Sequence, residues 1–186
     1  MIEVIDCHSV DISLLYPGSK ILDIGCRGFH FYNNLKKRGC EVYAVDPDWL
    51  DSNIPYYQCA ISNFNGKCDL VHTSDPQAKY IKSGNSIEVF DLESFSQKVK
   101  IQEWDVIKMN CEGSEYQILP TIQRPIAKQL SLDFHEHTDR KIGKDQIDQM
   151  LNRLTVWYDI KIASWEIRHC AGYNYWDVLL ISKFGT

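Results

Sequence analysis

The sequence predicts an α/β fold whose mostly parallel, doubly wound sheet ends in an antiparallel C-terminal hairpin. An apolar segment runs into a turn that contains Gly25 and Gly28, a helical pattern follows, and a second apolar segment ends at Asp46. This order of strand, glycine turn, helix and strand is typical of a nucleotide-binding unit. Further apolar segments alternate with helical patterns, and the connection between the last two is too short for a parallel crossover.

The nucleotide-binding unit is defined by three consecutive elements. Lys20–Ile24 is mostly apolar, which indicates a buried parallel strand. A helix is predicted over 29–38 because Phe31 and Leu35 are four residues apart, basic residues fill the last turn, and a glycine follows. Val42–Asp46 is the second strand, and its terminal acid is positioned to accept hydrogen bonds from a ribose.

The acids of this unit indicate which nucleotide it binds. A dinucleotide site needs a third glycine, so that diphosphate can reach the backbone amides, but aromatic residues follow Gly28 here. Asp23 at the first strand end would repel a diphosphate and attract a cation, such as the ammonium and sulfonium of S-adenosylmethionine (SAM). The pair of acids therefore favours SAM over NAD. The structural alternative is that Asp23 caps the helix and Asp46 starts a turn before Pro47.

Length and composition limit the class of protein. A chain of 186 residues with 44% hydrophobic residues suits one globular domain, here spanning 1–186 with a short lead-in over 1–19. A net charge of −5 argues against broad nucleic-acid binding, and no apolar run reaches membrane-spanning length. The seven cysteines include no closely spaced pair, so we expect free thiols in the cytoplasm and neither a disulfide framework nor a metal site.

The remaining elements follow from apolar alternation, helical spacing and turn residues. The predicted strands are Tyr56–Ile61, Lys67–His72, Ser86–Phe90, Trp104–Asn110, Ala127–His135, Val156–Ile167 and Tyr175–Ser182. The predicted helices are Asp91–Lys98, a short one that Pro120 closes, and Asp145–Leu154. Tyr16-Pro17-Gly18 is a predicted turn, and Asp75–Asn85 is a predicted mobile loop.

Polar residues gather at the predicted carboxyl ends of the strands, where open α/β sheets bind ligands. Glu112 directly follows one strand and either accepts a bond from the SAM ammonium, orients the methyl acceptor, or serves as a helix-entry acid. Alternation places Asp133 and His135 on one face, so His135 is a candidate general base, or a histidine satisfied by the backbone. A metal site at His135 and His137 lacks further ligands at recognisable spacing.

A longer motif carries a resemblance to a known family. Ile107-Lys-Met-Asn-Cys-Glu-Gly-Ser-Glu115 resembles the Ile-Lys-x-Asp-Val-Glu-Gly-x-Glu signature of the FkbM family of SAM-dependent methyltransferases. Ser131–His135 and Tyr175–Ile181 are similar to the family's next and closing strands. The resemblance implies a Rossmann-like class I methyltransferase fold. The chain departs from the family at Asn110, where the family has Asp, and in a shortened glycine turn.

The resulting hypothesis is a SAM-dependent methyltransferase that methylates a hydroxyl of a small molecule or sugar. Its expected catalytic residues are His135 and Glu112, and Lys108 is expected to pair with an acid because it lies in a central strand. The expected cofactor-binding residues are Asp23, Gly25, Cys26, Arg27, Gly28, Asp46, Ala60 and Asn110. An inactive SAM-binding or regulatory module and an NAD-linked enzyme remain as alternatives. The sequence leaves open whether the chain forms a homodimer.

Overall fold

A computed structural model describes residues 1–50, 52–72, 79–135, 143–164 and 175–184. The strands within these ranges are β1 (Ile2–Ile5), β2 (His8–Asp11), β3 (Lys20–Ile24), β4 (Glu41–Asp46), β5 (Tyr57–Gln58), β6 (Ala60–Ile61), β7 (Gly66–His72), β8 (Lys79–Ser83), β9 (Ile87–Phe90), β10 (Trp104–Met109), β11 (Ala127–His135), β12 (Tyr158–Ser164) and β13 (Tyr175–Ser182). The α-helices are α1 (His30–Lys37), α2 (Leu92–Val99), α3 (Glu115–Ile118) and α4 (Lys144–Leu154), and 3-10 turns lie at Ile12–Leu14 and Leu119–Thr121.

Seven strands form the central sheet, in the order β12-β13-β11-β10-β3-β4-β5. The pairs from β11 to β5 are parallel, whereas β13 runs antiparallel to both β11 and β12. The connection between β12 and β13, residues 165–174, lies outside the described residues. The chain moves outward from β3 to β4 and β5, then returns to β10 and moves the other way to β11. A ligand crevice is expected outside the carboxyl ends of β3 and β10, because the strand order reverses there.

Both faces of this sheet are covered. On one face, α1 and the antiparallel β1–β2 hairpin pack on β3 and β10, in a cluster that includes Ile5, Val10, Ile21, Phe31 and Val106. On the other face, helices α2, α3 and α4 form the larger core with the apolar side chains of β3, β10 and β11. Apolar residues occupy both faces of the central strands, as is usual for parallel sheets.

Several predicted elements are confirmed. The strands Lys20–Ile24 and Ala127–His135 have the predicted bounds, and α4 begins one residue before the predicted Asp145. The alternation along β11 is also confirmed, since Leu130 and its apolar neighbours lie in the larger core and the polar residues lie on the other face. The turn before β3 is present too, with the Ser19 amide donating to the Tyr16 carbonyl.

For the rest of the chain, the structure adds detail to one prediction and corrects two. Residues 1–19, predicted only as a short lead-in, contain the β1–β2 hairpin, and its tip residues have φ values of 50° and 69° without any glycine. The predicted strand Tyr56–Ile61 divides into β5, in the central sheet, and β6, in a second sheet of order β6-β9-β7-β8. The predicted loop Asp75–Asn85 includes β8, a polar strand at the edge of that second sheet; residues 73–78 lie outside the described residues.

Candidate functional site

The glycine turn after β3 is bonded mainly to the neighbouring strands. The amides of Gly25 and Cys26 both donate to the Val45 carbonyl, at 2.9 and 3.3 Å. Gly25 has φ +75°, and an added Cβ would lie 1.8 Å from the Asn110 carbonyl oxygen. The close approach of the β10 end therefore requires this glycine. Because the first two turn amides already have an acceptor, they do not offer the bare donors of a diphosphate site.

Asp23 does not face the crevice, and the prediction that it binds a cationic ligand is wrong. Its side chain is 0% exposed and lies 3.0 Å from the ammonium of Lys108, its register partner on β10. Burial raises the pKa of Asp23, and the neighbouring Lys108 charge opposes that effect. The expectation that Lys108 meets an acid is confirmed. Asp23 is thus a structural counter-ion rather than a ligand-binding residue.

Two other predicted cofactor residues point their side chains into apolar clusters. The Cys26 thiol packs with Phe29 and Tyr32, and burial together with the Asp23 and Asp46 carboxylates raises its pKa well above the ordinary value. Ala60 lies in the second sheet and packs with Cys68 and Val89, because the chain leaves the central sheet after β5. The structure therefore contradicts a ligand-binding role for the Ala60 side chain. At the turn, only the backbone of Cys26 remains for contact with a ligand.

The remaining residues on this side of the crevice keep positions suited to a ligand. Arg27 and Gly28 are exposed on the turn, and a Cβ at Gly28 would meet only the His30 ring, at 3.3 Å. Asp46 ends β4 beside the turn, with 7% of its surface exposed, and one carboxylate oxygen accepts the Asp48 amide at 2.9 Å. This bond matches the turn interpretation of Asp46.

The turn after β10 has an internal support that sequence reasoning missed. Glu112 and Gly113 both have positive φ values, 53° and 97°. The buried carboxylate of Glu115 accepts the amide of Cys111 and, at 2.8 Å, the amide of Gly113. These bonds give a physical reason for the Glu-Gly-x-Glu spacing, because a turn of this shape leaves inward-pointing amides without a backbone acceptor. In the sequence, the spacing of Glu112, Gly113 and Glu115 was the one available sign of this support.

Glu112, Asp133 and His135 form one cluster at the carboxyl ends of β10 and β11. The His135 ring lies 3.1 Å from Glu112 through Nδ1 and 3.3 Å from Asp133 through Nε2. The Asn110 side-chain amide adds a long contact of 3.5 Å to Asp133. Ionised carboxylates only accept hydrogen bonds, so two ionised carboxylates at these positions favour a ring with protons on both nitrogens. Among these three side chains, that arrangement places one cation between two anions.

The protonation of His135 differs from what a general base requires. Burial alone would lower its pKa, but the hydrogen bonds to Asp133 and Glu112 raise the pKa to about 10. A ring that is protonated on both nitrogens has no lone pair with which to take a proton. These contacts therefore favour a positioning role for His135, and its role as the base stays a prediction. The sequence analysis placed Asp133 on the same strand face but gave it no role.

This ion cluster predicts a specific pH dependence of stability. Above the unfolded pKa of about 6.5, folded His135 keeps a proton that the unfolded chain has released, so the free energy of unfolding falls as pH rises, by up to about 1.4 kcal/mol per pH unit. Urea unfolding between about pH 6.5 and 7.5 measures this slope below the range in which unfolded cysteine thiols, with a pKa of about 8.5, titrate. The His135→Gln variant should lose most of the slope, and the surface variant Asp159→Asn should keep it. Equal slopes in all three proteins would contradict the imidazolium assignment.

Within the described residues, no group of three or more His, Cys, Asp and Glu side chains is arranged to hold a metal ion. His137, part of the metal interpretation, lies outside those residues. None of the described helices has both the length and the apolar composition needed to span a membrane.

Comparisons with known proteins give limited information. No protein-family model matches the chain, and no curated protein matches it. Among solved structures, the chain is similar to a TehB-like SAM-dependent methyltransferase from Corynebacterium glutamicum, with a TM-score of 0.46 and 17% sequence identity. The similarity covers 92% of this chain and 84% of that chain. A likeness at this level identifies neither the family nor the activity of this protein.

Proposed function

We propose that this protein is a SAM-dependent methyltransferase that transfers a methyl group to a hydroxyl of a small molecule or sugar. One observation carries the proposal. The crevice at the strand-order reversal has one acid on one side, Asp46, and the two acids that contact His135, Glu112 and Asp133, on the other. A nucleoside that carries a cationic group matches both sides.

The spacing of the sheet supports this pairing of sites. β4 carries Asp46, while β10 and β11 carry the cluster, and these strands are two and three places away from β4. At the usual strand separation, the two sides of the crevice are roughly 10 to 14 Å apart. A nucleoside joined to an amino acid can bridge such a distance, with the ribose at Asp46 and the charged end near the cluster.

The described residues fit SAM without a phosphate site. Asp46 would accept bonds from the ribose hydroxyls, and the Gly25–Phe29 turn would lie against the nucleoside. Because the Asn110 amide nitrogen contacts Asp133, its carbonyl oxygen is the atom that would accept a bond from the ligand ammonium. Bound SAM supplies a methyl group on a positively charged sulfur, which needs no further activation by the protein.

The residues of the cluster would then have different roles in methyl transfer. The Glu112 side chain is 21% exposed at the crevice and would accept the proton or hydrogen bond of the hydroxyl acceptor. His135 would position Glu112 through their 3.1 Å contact rather than act as a base. The resemblance of Ile107–Glu115 to the FkbM signature supports the same reaction class, and membership of that family is part of the proposal.

A second candidate is a SAM-binding or regulatory module without catalysis. Two observations favour it: both His135 ring nitrogens already contact carboxylates, and Asn110 stands where the FkbM signature has an acid. Tight SAM binding without methylated product from any acceptor pool would support the module. The NAD-linked alternative is weaker, because the Val45 carbonyl already accepts the amides of Gly25 and Cys26.

Calorimetric titration with SAM and with S-adenosylhomocysteine tests the shared part of both candidates. We expect saturable binding of each ligand and none of NADH at the same concentrations. Incubation with SAM and pooled sugars and small hydroxyl compounds, followed by mass spectrometry, then tests methyl transfer. A folded protein that binds neither SAM nor S-adenosylhomocysteine at millimolar concentration rules out the proposed function.

Asp46→Ala is expected to weaken S-adenosylhomocysteine binding by about 1–3 kcal/mol, or roughly 5- to 150-fold. The physical reason is the loss of charged hydrogen bonds to the ribose hydroxyls. Calorimetry measures the effect, and Asp159→Ala is the matched control because Asp159 lies on the exposed edge strand β12, far from the crevice. Unchanged affinity in Asp46→Ala would remove Asp46 from the binding site.

A further inference from the structure

The Lys108 side chain lies directly beneath the glycine turn. Its ammonium forms an ion pair with Asp23 at 3.0 Å and donates to the carbonyls of Gly25 at 2.7 Å and Ile24 at 3.3 Å. The two hydrogen bonds of this ammonium to described backbone atoms thus both go to the start of the turn. Both charged side chains are almost completely buried. The contact is therefore specific to the start of the turn.

The turn is held through its carbonyls on one side and through its amides on the other. Lys108 holds the carbonyls of Ile24 and Gly25, whereas the Val45 carbonyl holds the amides of Gly25 and Cys26. The Asn110 amide also donates to the Ile24 carbonyl, at 3.1 Å, and ties the end of β10 to the same point. The path of the chain from β3 into the crevice is thus bonded to a charged group that is almost completely buried.

The N-terminal hairpin covers this ion pair. His8 is buried and packs edge-on against Phe31 at 5.8 Å, and the Lys108 ammonium lies 6.0 Å from the centre of that same ring. Asp6 at the hairpin tip is close enough to raise the pKa of Asp23 further. Bonds in such a dry environment are stronger than the same bonds in water.

Side-chain bonds attach the hairpin to β11 and β13. The Ser9 amide donates to Asp177 at 3.1 Å, and the Ser131 hydroxyl donates to the Ser9 carbonyl at 2.8 Å. Gln129 accepts the Asp11 amide at 2.8 Å and donates to the Asp11 carbonyl at 3.1 Å. These contacts join residues far apart in the chain and fix the hairpin over the ion pair.

We propose that Lys108 is a positioning residue for the glycine turn after β3. The β1–β2 hairpin keeps water away from the bonds between Lys108 and the carbonyls of Ile24 and Gly25. The expected effect of Lys108 on ligand affinity rests on the proposed function, whereas its support of the turn does not. Asp23 neutralises the lysine, and the bonds to the two carbonyls set the shape of the turn.

The test compares two double variants by amide hydrogen exchange without ligand. Asp23→Asn/Lys108→Met removes both charges and the carbonyl bonds, and Asp105→Asn/Lys128→Met removes the ion pair between β10 and β11 at the opposite end of the strands. Exchange of the Gly25 and Cys26 amides should rise at least about tenfold in the first variant only, while exchange in α4 stays unchanged. Unchanged exchange at the turn in the first variant would overturn the proposal.

Asp23→Asn alone separates support of the turn from general stability. It keeps the Lys108 bonds to both carbonyls but leaves the buried ammonium without its counter-charge, so any rise in exchange of the turn amides should be matched by the rise in α4. A loss of protection at the turn relative to α4 that equals that of the Asp23→Asn/Lys108→Met variant would show that the ion pair supports only the fold, and would overturn the positioning role.

Affinity for S-adenosylhomocysteine separates this inference from the proposed function. We expect the Asp23→Asn/Lys108→Met variant to bind at least about tenfold more weakly, and the Asp105→Asn/Lys128→Met control to bind as the wild type does. Faster turn exchange in a protein whose wild type binds no nucleoside would support the role of Lys108 and end the proposed function. Normal affinity despite faster exchange would overturn the role in ligand binding.

The role of the hairpin is tested by releasing it from the sheet. Ser9→Ala/Ser131→Ala removes bonds to Asp177 and to the Ser9 carbonyl, and should increase exchange in β2 and in the Gly25 and Cys26 amides together. Increased exchange in β2 with an unchanged turn would overturn the role of the hairpin.

Discussion

Replacing Gly25 by alanine is expected to lower the free energy of unfolding by more than about 4 kcal/mol. The added Cβ would lie 1.8 Å from the Asn110 carbonyl oxygen, a backbone atom at the end of β10. That carbonyl cannot rotate away as a flexible side chain can, since the Cys111 amide of the same peptide unit is bonded to the Glu115 carboxylate. The substitution would therefore separate the ends of β3 and β10. Urea unfolding, with the slope compared between proteins, measures the loss.

Gly18→Ala is the matched control for this prediction. Gly18 also has a positive φ, +94°, but a Cβ there would meet no atom within 4 Å. Its substitution includes the backbone penalty of a left-handed residue, about 1–2 kcal/mol, without the steric clash. The difference between the two variants thus isolates the close approach of the strands. Equal losses would show that the end of β10 moves aside easily, and would contradict the structural reason given for Gly25.

The glycine turn illustrates how far sequence reasoning reaches. Strong local patterns predicted β3, the turn, α1 and β4, because buried strands and amphipathic helices have characteristic spacings. The same reasoning assigned Gly25 to ligand approach, whereas the contact with Asn110 requires it. A contact between residues so far apart in sequence depends on which strands become neighbours, and local patterns do not contain that information.

For the charged residues, too, the sequence predicted positions along the chain but not the contacts between strands. A lysine in a central strand predicts a partner acid, but only the register of β3 on β10 makes that acid Asp23. The sequence predicted that His135 lies at a strand end. Its protonation depends on its contacts with Asp133 and Glu112. Glu112 lies in a turn where it has a positive φ, which local patterns did not predict. Sequence patterns can place titratable groups near a site, but their charge depends on the atoms around them.

Missed elements are those with weak local signals. The β1–β2 hairpin turns at Asp6 and Cys7 without the Asn-Gly or Gly-containing pair that usually marks a two-residue turn. Side-chain bonds to distant residues hold it in place instead. β8 is a polar edge strand, paired with β7, and a strand of this kind has no apolar alternation to detect.

Lys108→Met alone is expected to lower the free energy of unfolding by about 3–5 kcal/mol at pH 7, because it leaves the Asp23 carboxylate buried without a counter-charge. The Asp23→Asn/Lys108→Met variant should recover most of that loss, since no charge then remains buried. Urea unfolding of the two variants at pH 7 measures the difference. A single variant as stable as the double variant would contradict a cost for burying Asp23 without a counter-charge.

The same single variant should regain stability in acid. Burial raises the pKa of Asp23, and without Lys108 nothing in the ion pair opposes that shift. A carboxyl with a raised folded pKa stabilises the folded state below the unfolded pKa, and this stabilisation is lost as pH rises through the folded pKa. The gap between the single and double variants should therefore narrow steadily between pH 7 and about pH 5. A gap that stays constant over this range would mean that the loss comes from the missing carbonyl bonds of Lys108 rather than from the charge of Asp23.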